Sequence, residues 1–368
     1  MAYSIVLLLL IGMNFFIKTA NVKNKEKSFL IFSFIVLVCL AGFRYENGHG
    51  DFFVNYRRII QAYHMSWRDN LSFTTEFGHQ LFRKVVAILF REPQMYFLLS
   101  SALIVFAQIS VAWKYADNYF LYILLFYSIF GFFPSNNITR QAMAVAICAL
   151  SLPSIIRKNL VQYIALMILA VLVHTSAIFF IPMYFLANVH FSKNSLYGYI
   201  LLSSIVLLLR RQIIAFFLRF LYTEYAQEGA YGTVGSNPLR LLVALMVVLF
   251  VYLLSNRTQS EDGKMDNLID TERLNNVVIH GGVLYVFCML MSTLSMLMFA
   301  RVSLYYACFA MLCIDKGIQR TYGRNRLIIY LLVLLFVVSY FSVMNMAGKL
   351  IPTPYTPFWQ FPDRPRIV

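Results

Sequence analysis

The sequence predicts an all-α fold, a polytopic transmembrane helical bundle, and three observations predict it. Hydrophobic residues make up 60% of the 368 positions and charged residues only 13%, where soluble domains carry about a quarter charged. Uninterrupted apolar runs recur from one end to the other, many of them long enough for a hydrocarbon core of roughly 30 Å. None alternates as a lipid-facing barrel strand would, and backbone groups in lipid must be satisfied within helices or a closed barrel. No stretch is long and polar enough to form a separate soluble domain, so 1–368 reads as a single integral membrane domain.

The apolar runs place helices at 2–17, 28–43, 94–113, 119–134, 140–156, 160–187, 195–209, 238–254, 277–298, 300–315 and 326–345. A weaker candidate covers 211–224, which makes about twelve in all. The first run, "MAYSIVLLLLIGMNFFIK", lacks the charged leading region of a signal peptide and reads as a retained helix. Pro153 is a candidate kink within 140–156. The 211–224 segment is short and holds Arg219. It must nevertheless cross the membrane if the basic loops are all to lie on one side.

Loop charge orients the bundle. "KTANVKNKEK", "RKN" at 157–159, Arg210 and Arg211, the polar loop after 254 and "DKGIQRTYGRNR" all fall inside, with the N-terminus outside. The outer side then holds 44–93, 134–139, 188–194, 223–237 and the tail from about 346 to 368. Within 44–93, "EFGHQLFRKVVAILF" reads as an amphipathic helix at the interface. The tail "IPTPYTPFWQFPDRPRIV" reads as an extended cap over the outer surface.

A net charge of +15 in such a chain means loop anchoring and topology. No aromatic-and-basic module points to nucleic acid, so the lipid bilayer is the partner that the charge implies. Cys39, Cys148, Cys288, Cys308 and Cys313 lie inside apolar runs without metal spacing, and read as small buried residues.

Ionisable residues at membrane depth are expensive and point to function. Arg140 opens "TRQAMAVAICAL", and His174 sits inside "LAVLVHTSAIFF". Arg140 lies 18 residues before the turn at Lys158 and His174 lies 16 after it. At about 1.5 Å per residue the two differ in depth by about 3 Å, so they can face one another in the outer half of the membrane. Asn137 or Thr139 can cap the helix that Arg140 opens, and its N-terminus adds partial positive charge. Read singly, Arg140 is an interfacial anchor and His174 a histidine bonded to a backbone carbonyl or Thr175. Arg301 sits at an outer turn with Tyr305 one helical turn on. "FRYENGHGDFFVNYRR" adds Arg44, Glu46, His49 and Asp51, with Gly48 and Gly50 marking a tight turn that presents Asp51. "TTEFGHQLF" adds Glu76 and His79.

Arginine forks bind phosphate bidentately and stay charged at depth. A carboxylate or histidine can serve as general base. Aromatic side chains, 17% of the chain, suit sugar rings. Phosphate plus sugar in a membrane site suggests a lipid-linked saccharide.

"GHGDFFVNY", "EFGHQLF", "NNITRQAMAVAI", "HTSAIFFIPMYF" and "ARVSLYY" occur in this order over roughly 40–310, and together they resemble the EpsG family of bacterial membrane proteins. That family is allied to Wzy-type O-antigen and capsule polymerases. The resemblance implies a fold similar to the lipid-donor membrane glycosyltransferases of GT-C type. It implies a polysaccharide polymerase in the bacterial inner membrane, acting at the periplasmic face. Such an enzyme moves a growing glycan from undecaprenyl pyrophosphate to a new lipid-linked repeat unit, with a chain-length regulator as a plausible partner. Asp51, Glu76, Arg140, Gln141, His174 and Arg301 match the family pattern. In the mechanism this suggests, Arg140 and Arg301, helped by Arg44, hold the diphosphate, and Gln141 and Tyr305 are further residues for binding the pyrophosphate or sugar. Asp51 or Glu76 is the base, with His174 as runner-up. No metal or cofactor is implied, because arginines neutralise the diphosphate and no D-x-D carboxylate cluster is present.

Other readings stay open at this point. A flippase or transporter of lipid-linked oligosaccharide also needs cations in a cavity, though usually with internal repeats, and no convincing repeat is visible here. A glycan ligase or acyltransferase would also use a histidine paired with an acid. A structural subunit of an export complex would not need the buried charges.

Overall fold

A computed structural model of the chain describes every residue except 1, 21, 46–49, 73–75, 221–237, 256–264, 294–297, 350–354, 362–364 and 368. The protein is an all-α polytopic membrane protein. Six helices among the described residues are long and apolar enough to cross a membrane: Ala2–Thr19, Gln94–Tyr115, Thr139–Ile156, Asp270–Thr293, Met298–Gln319 and Gly323–Met346. Shorter apolar segments add Tyr119–Phe130, Leu160–Val173, Thr175–Leu186, Lys193–Leu208 and Leu239–Ser255. Large apolar side chains such as Leu8, Phe15, Val161, Leu208 and Leu335 stand exposed along these helices. That is costly in water and favourable in hydrocarbon.

The chain divides into two compact units. The first comprises Met1–Leu150, Leu166–Ala177 and Val333–Val368. Its helix Lys25–Gly42 packs along Gln94–Tyr115, which in turn packs on Thr139–Leu150. Gln94 ties the first pair together at one end, donating from Nε2 to the carbonyls of Gly42 at 2.5 Å and Arg44 at 2.8 Å. Helix Gly50–His64 lies on Phe77–Phe90, over an aromatic core of Tyr45, Phe52, Tyr56, Tyr96 and Phe97. Phe52 and Phe97 stack with centroids 4.1 Å apart. The tail closes this core. Thr356 accepts from the Tyr45 N–H at 2.8 Å, Phe358 donates to the Phe43 carbonyl at 2.9 Å, and Pro365 accepts from the Tyr56 hydroxyl at 3.0 Å.

The second unit comprises Ser151–Ala165 and Ile178–Leu332. Its centre is three helices, Pro238–Ser255, Met265–Thr293 and Ala307–Gln319. They approach closely because small residues face large ones. A Cβ on Gly281 would run into the Phe309 ring, and one on Gly317 would lie 2.6 Å from Phe250 Cδ1. Arg273, buried on the middle helix, donates from Nη2 to the Ile155 carbonyl at 2.6 Å and from Nε to that of Ile156 at 3.1 Å. It thereby caps the C-terminal carbonyls of the Leu152–Ile156 helix.

Four expected helices differ in a way that matters. The run expected over 160–187 is a helix only to Val173; a 3-10 turn follows at Thr175–Phe180 and a short helix at Met183–Leu186. Hydroxyl side chains at Thr175 and Ser176 and the ring of Pro182 weaken a continuous helix there. The run over 119–134 becomes a helix at Tyr119–Leu125, a π-turn at Phe126–Phe130 and, after Gly131, a separate helix Phe132–Asn137. The run over 140–156 pauses at Ser151, beside Pro153. The weak candidate at 211–224 is helical from Arg210 to Phe220, and its end lies outside the described residues. Among its described residues the 44–93 segment holds three helices, Gly50–His64, Trp67–Ser72 and Phe77–Phe90.

Candidate active site

The Phe77–Phe90 helix is built inside out. Phe77, Leu81, Val85 and Leu89 recur every four residues and are exposed, while His79, Gln80, Arg83 and Lys84 are buried. A helix in water would reverse this, so the arrangement suits an apolar surround with a polar interior on the protein side. Lys84 shows how a buried cation is satisfied here. Its ammonium donates to the carbonyls of Ala62, Tyr63 and Met65 at 2.6, 3.1 and 2.6 Å, which caps the C-terminus of Gly50–His64. His79 shares a hydrogen bond of 2.7 Å with the Tyr96 hydroxyl. Glu76 stands in the capping position before this helix and is buried.

Arg140 comes to the same place from the opposite direction in sequence. Arg44 is 2% exposed and braces the approach to the Arg140 helix, donating to the Ala41 carbonyl at 2.6 Å and to Asn136 Oδ1 at 3.1 Å. It also donates to the Asn136 carbonyl. Asn137 is the last residue of Phe132–Asn137, so Ile138 takes the capping position, and its carbonyl accepts from the Ala142 N–H at 2.9 Å. Helix Thr139–Leu150 then begins, and Arg140 Nη1 donates to Glu76 Oε2 at 2.8 Å.

His174 completes the junction. It sits where the Leu160–Val173 helix stops, with its N–H still bonded to the Ala170 carbonyl at 2.9 Å. Its Nδ1 is hydrogen-bonded to Glu76 Oε1, the oxygen that Arg140 does not use. Nε2 is buried and has no hydrogen-bond partner among the described residues. Gly78 lets the two elements meet: a Cβ there would lie 3.1 Å from the Leu172 carbonyl carbon, Cβ and oxygen.

Burial raises the Glu76 carboxyl, but the hydrogen bond and charge of His174, and then those of Arg140, outweigh it and hold the group below its ordinary value. Burial and the neighbouring cations, Arg83 first among them, push His79 well below the ordinary histidine value. Burial pulls Arg83 down to about 10, so it stays charged at neutral pH. A carboxylate held by a guanidinium and an imidazole is a stable acceptor and a weak base. An imidazole oriented through Nδ1 is a better base at Nε2.

The remaining expected residues lie as follows. Gln141 is buried at the start of the Arg140 helix. Asp51 is the second residue of Gly50–His64, but its side chain, like Glu46, Gly48 and His49, lies outside the described residues. Arg301 and Tyr305 belong to the second unit, where Arg301 is half-buried in Met298–Val302 and Tyr305 is buried in the 3-10 turn that follows. Arg83 and Asn136 were not singled out in the sequence. The signal for Arg83 was present, since His79 and Arg83 are one helical turn apart and opposite the apolar stripe. It reads as an ordinary solvated face until the surround is known to be apolar.

The sequence model of the EpsG family matches residues 27–357 of this chain. No curated protein and no solved structure matches it.

Proposed function

The chain belongs to the EpsG family, and from that premise we propose that this membrane polysaccharide-biosynthesis protein is the polymerase of a bacterial surface glycan. In this reading it joins repeat units carried on undecaprenyl pyrophosphate, at the periplasmic face of the inner membrane. The observation that carries the mechanism is the single carboxylate of Glu76 shared by Arg140 and His174.

The reaction is a displacement at the anomeric carbon of the donor glycan. A hydroxyl of the acceptor repeat unit forms the new C–O bond. The bond from that carbon to the diphosphate breaks, and its electron pair leaves with the diphosphate. Arg140 stabilises the negative charge that grows on the leaving group. His174 Nε2 takes the proton of the acceptor hydroxyl, and Glu76 keeps the proton of the imidazole on Nδ1 and then stabilises the imidazolium. Glu76 is thereby a positioning residue rather than the base. Both of its oxygens are engaged and its proton affinity is lowered, which disfavours the alternative assignment. Arg44 acts through Asn136, positioning the chain just before Arg140. Gln141, Arg301 and Tyr305 contact the pyrophosphate or sugar in this reading, Asp51 is the alternative base, and alanine at each tests them singly. A chain-length regulator remains the proposed protein partner.

The deciding experiment is a gel of surface polysaccharide from a deletion strain. A polymerase leaves a single repeat unit without a ladder. Absence of any repeat unit on the surface would mean a flippase, and an unchanged ladder with altered decoration would mean a ligase or acyltransferase.

A further inference from the structure

Arg83 is 8% exposed and carries a charge that the described residues do not satisfy. Its Nη2 donates to Gln80 Oε1 at 3.3 Å, and its Nε has no hydrogen-bond partner among the described residues. The carboxylate nearest in effect, Glu76, already spends one oxygen on Arg140 and the other on His174. Arg58 and Arg140 add repulsion. Burying a cation without a charge partner is strongly unfavourable. Lys84, the next residue, shows that this helix can satisfy a structural cation fully, with three carbonyls on one ammonium. Arg83 is left with spare donors in a fork that fits phosphate oxygens.

We propose that Arg83 is a ligand for a phosphate-bearing headgroup, forming with Arg140 a two-arginine clamp on the inner face of the Phe77–Phe90 helix. The inference rests on the reading of this junction as the donor site and deepens it, since it assigns the diphosphate a second contact within the same unit. An arriving dianion gives Arg83 the partner it lacks. It also competes with Glu76 for Arg140, which leaves Glu76 committed to His174.

The test uses full-length protein in lipid nanodiscs, with inorganic pyrophosphate and, separately, a polyprenyl diphosphate as probes, read by calorimetry and by competition. Wild type should bind both, and R83Q should lose about tenfold or more in affinity for each, as expected for charge-assisted hydrogen bonds. K84Q should lower the unfolding temperature and leave the affinity unchanged. If the lipid probe binds more tightly than pyrophosphate, the lipid chain adds its own contacts; equal affinities mean that the headgroup alone is read. Wild-type affinity in R83Q alongside lost affinity in R140Q would overturn the role of Arg83 and leave the proposed donor site standing. No binding of either probe to wild type would overturn both. Should R83Q not fold, R83K keeps the charge but not the fork, and wild-type affinity in that variant would equally overturn the assignment.

Discussion

Arg140 and Glu76 are 64 residues apart in sequence and joined by a hydrogen bond of 2.8 Å. The pair is partly shielded, with side-chain exposures of 21% and 9%. Glu76 links Arg140 to His174, one through each carboxylate oxygen, so removing it takes an acceptor from both. Glu76→Ala is expected to lower stability by about 3 kcal/mol and to abolish chain lengthening. Thermal unfolding in detergent and the polysaccharide ladder check the two effects. A stable variant with a normal ladder would remove Glu76 from the site.

Arg140→Ala should also abolish the ladder, with the protein still inserted and expressed at wild-type level. Arg140→Lys keeps the charge and loses the bidentate fork, and should restore only part of the chain length. Long polymer from the alanine variant would sink the assignment.

His174→Ala should lower turnover about 10²–10⁴-fold, the range for loss of a general base. The half-saturating concentration of lipid-linked donor should change little, because the histidine is assigned to the acceptor hydroxyl. An assay on synthetic lipid-linked repeat units separates the two parameters. A large rise in that concentration at unchanged turnover would make His174 a binding residue instead.

The pH dependence of stability follows from Glu76. Its folded carboxyl titrates below the ordinary value of 4.5, so the unfolded chain binds the proton more readily. The stabilisation is complete above about pH 4.5 and is lost as pH falls through the folded value. Unfolding temperatures measured from pH 7 down to pH 3 should drop in wild type below pH 4.5, and the drop should be smaller in Glu76→Gln. Parallel curves for the two proteins would show that Glu76 gains nothing from its partners.

Gly78 tests whether the close approach of its helix to Leu172 sets the junction. A Cβ at 3.1 Å from Leu172 backbone demands a shift of a few tenths of an ångström. Gly78→Ala should lengthen the Glu76–His174 contact and slow polymerisation several-fold, and Gly78→Val should do so more strongly. A crosslink between cysteines placed at 78 and 172 would report the spacing. Wild-type activity in the valine variant would show that the junction tolerates the shift.

Much of the fold was legible in the sequence, because hydrocarbon demands long apolar runs and internal backbone hydrogen bonds. Composition alone therefore determined an all-helical membrane protein, and the order of short motifs pointed to the family whose model matches 27–357. The depth count also put Arg140 and His174 at a common level, since helical rise is fixed at about 1.5 Å per residue. What it could not give was the partner between them. Glu76 reads in the sequence as a candidate base, and only packing, which turns the polar face of Phe77–Phe90 inward, sets its carboxylate on both of them. The breaks at His174 and Gly131 were equally hidden, because apolar periodicity continues across them while hydroxyls, Pro182 and a π-turn interrupt the helix. In the sequence Arg44 reads as a helper on the diphosphate and Arg83 as part of a solvated face. Tertiary structure gives Arg44 carbonyl and amide acceptors and leaves Arg83 with spare donors in a buried place.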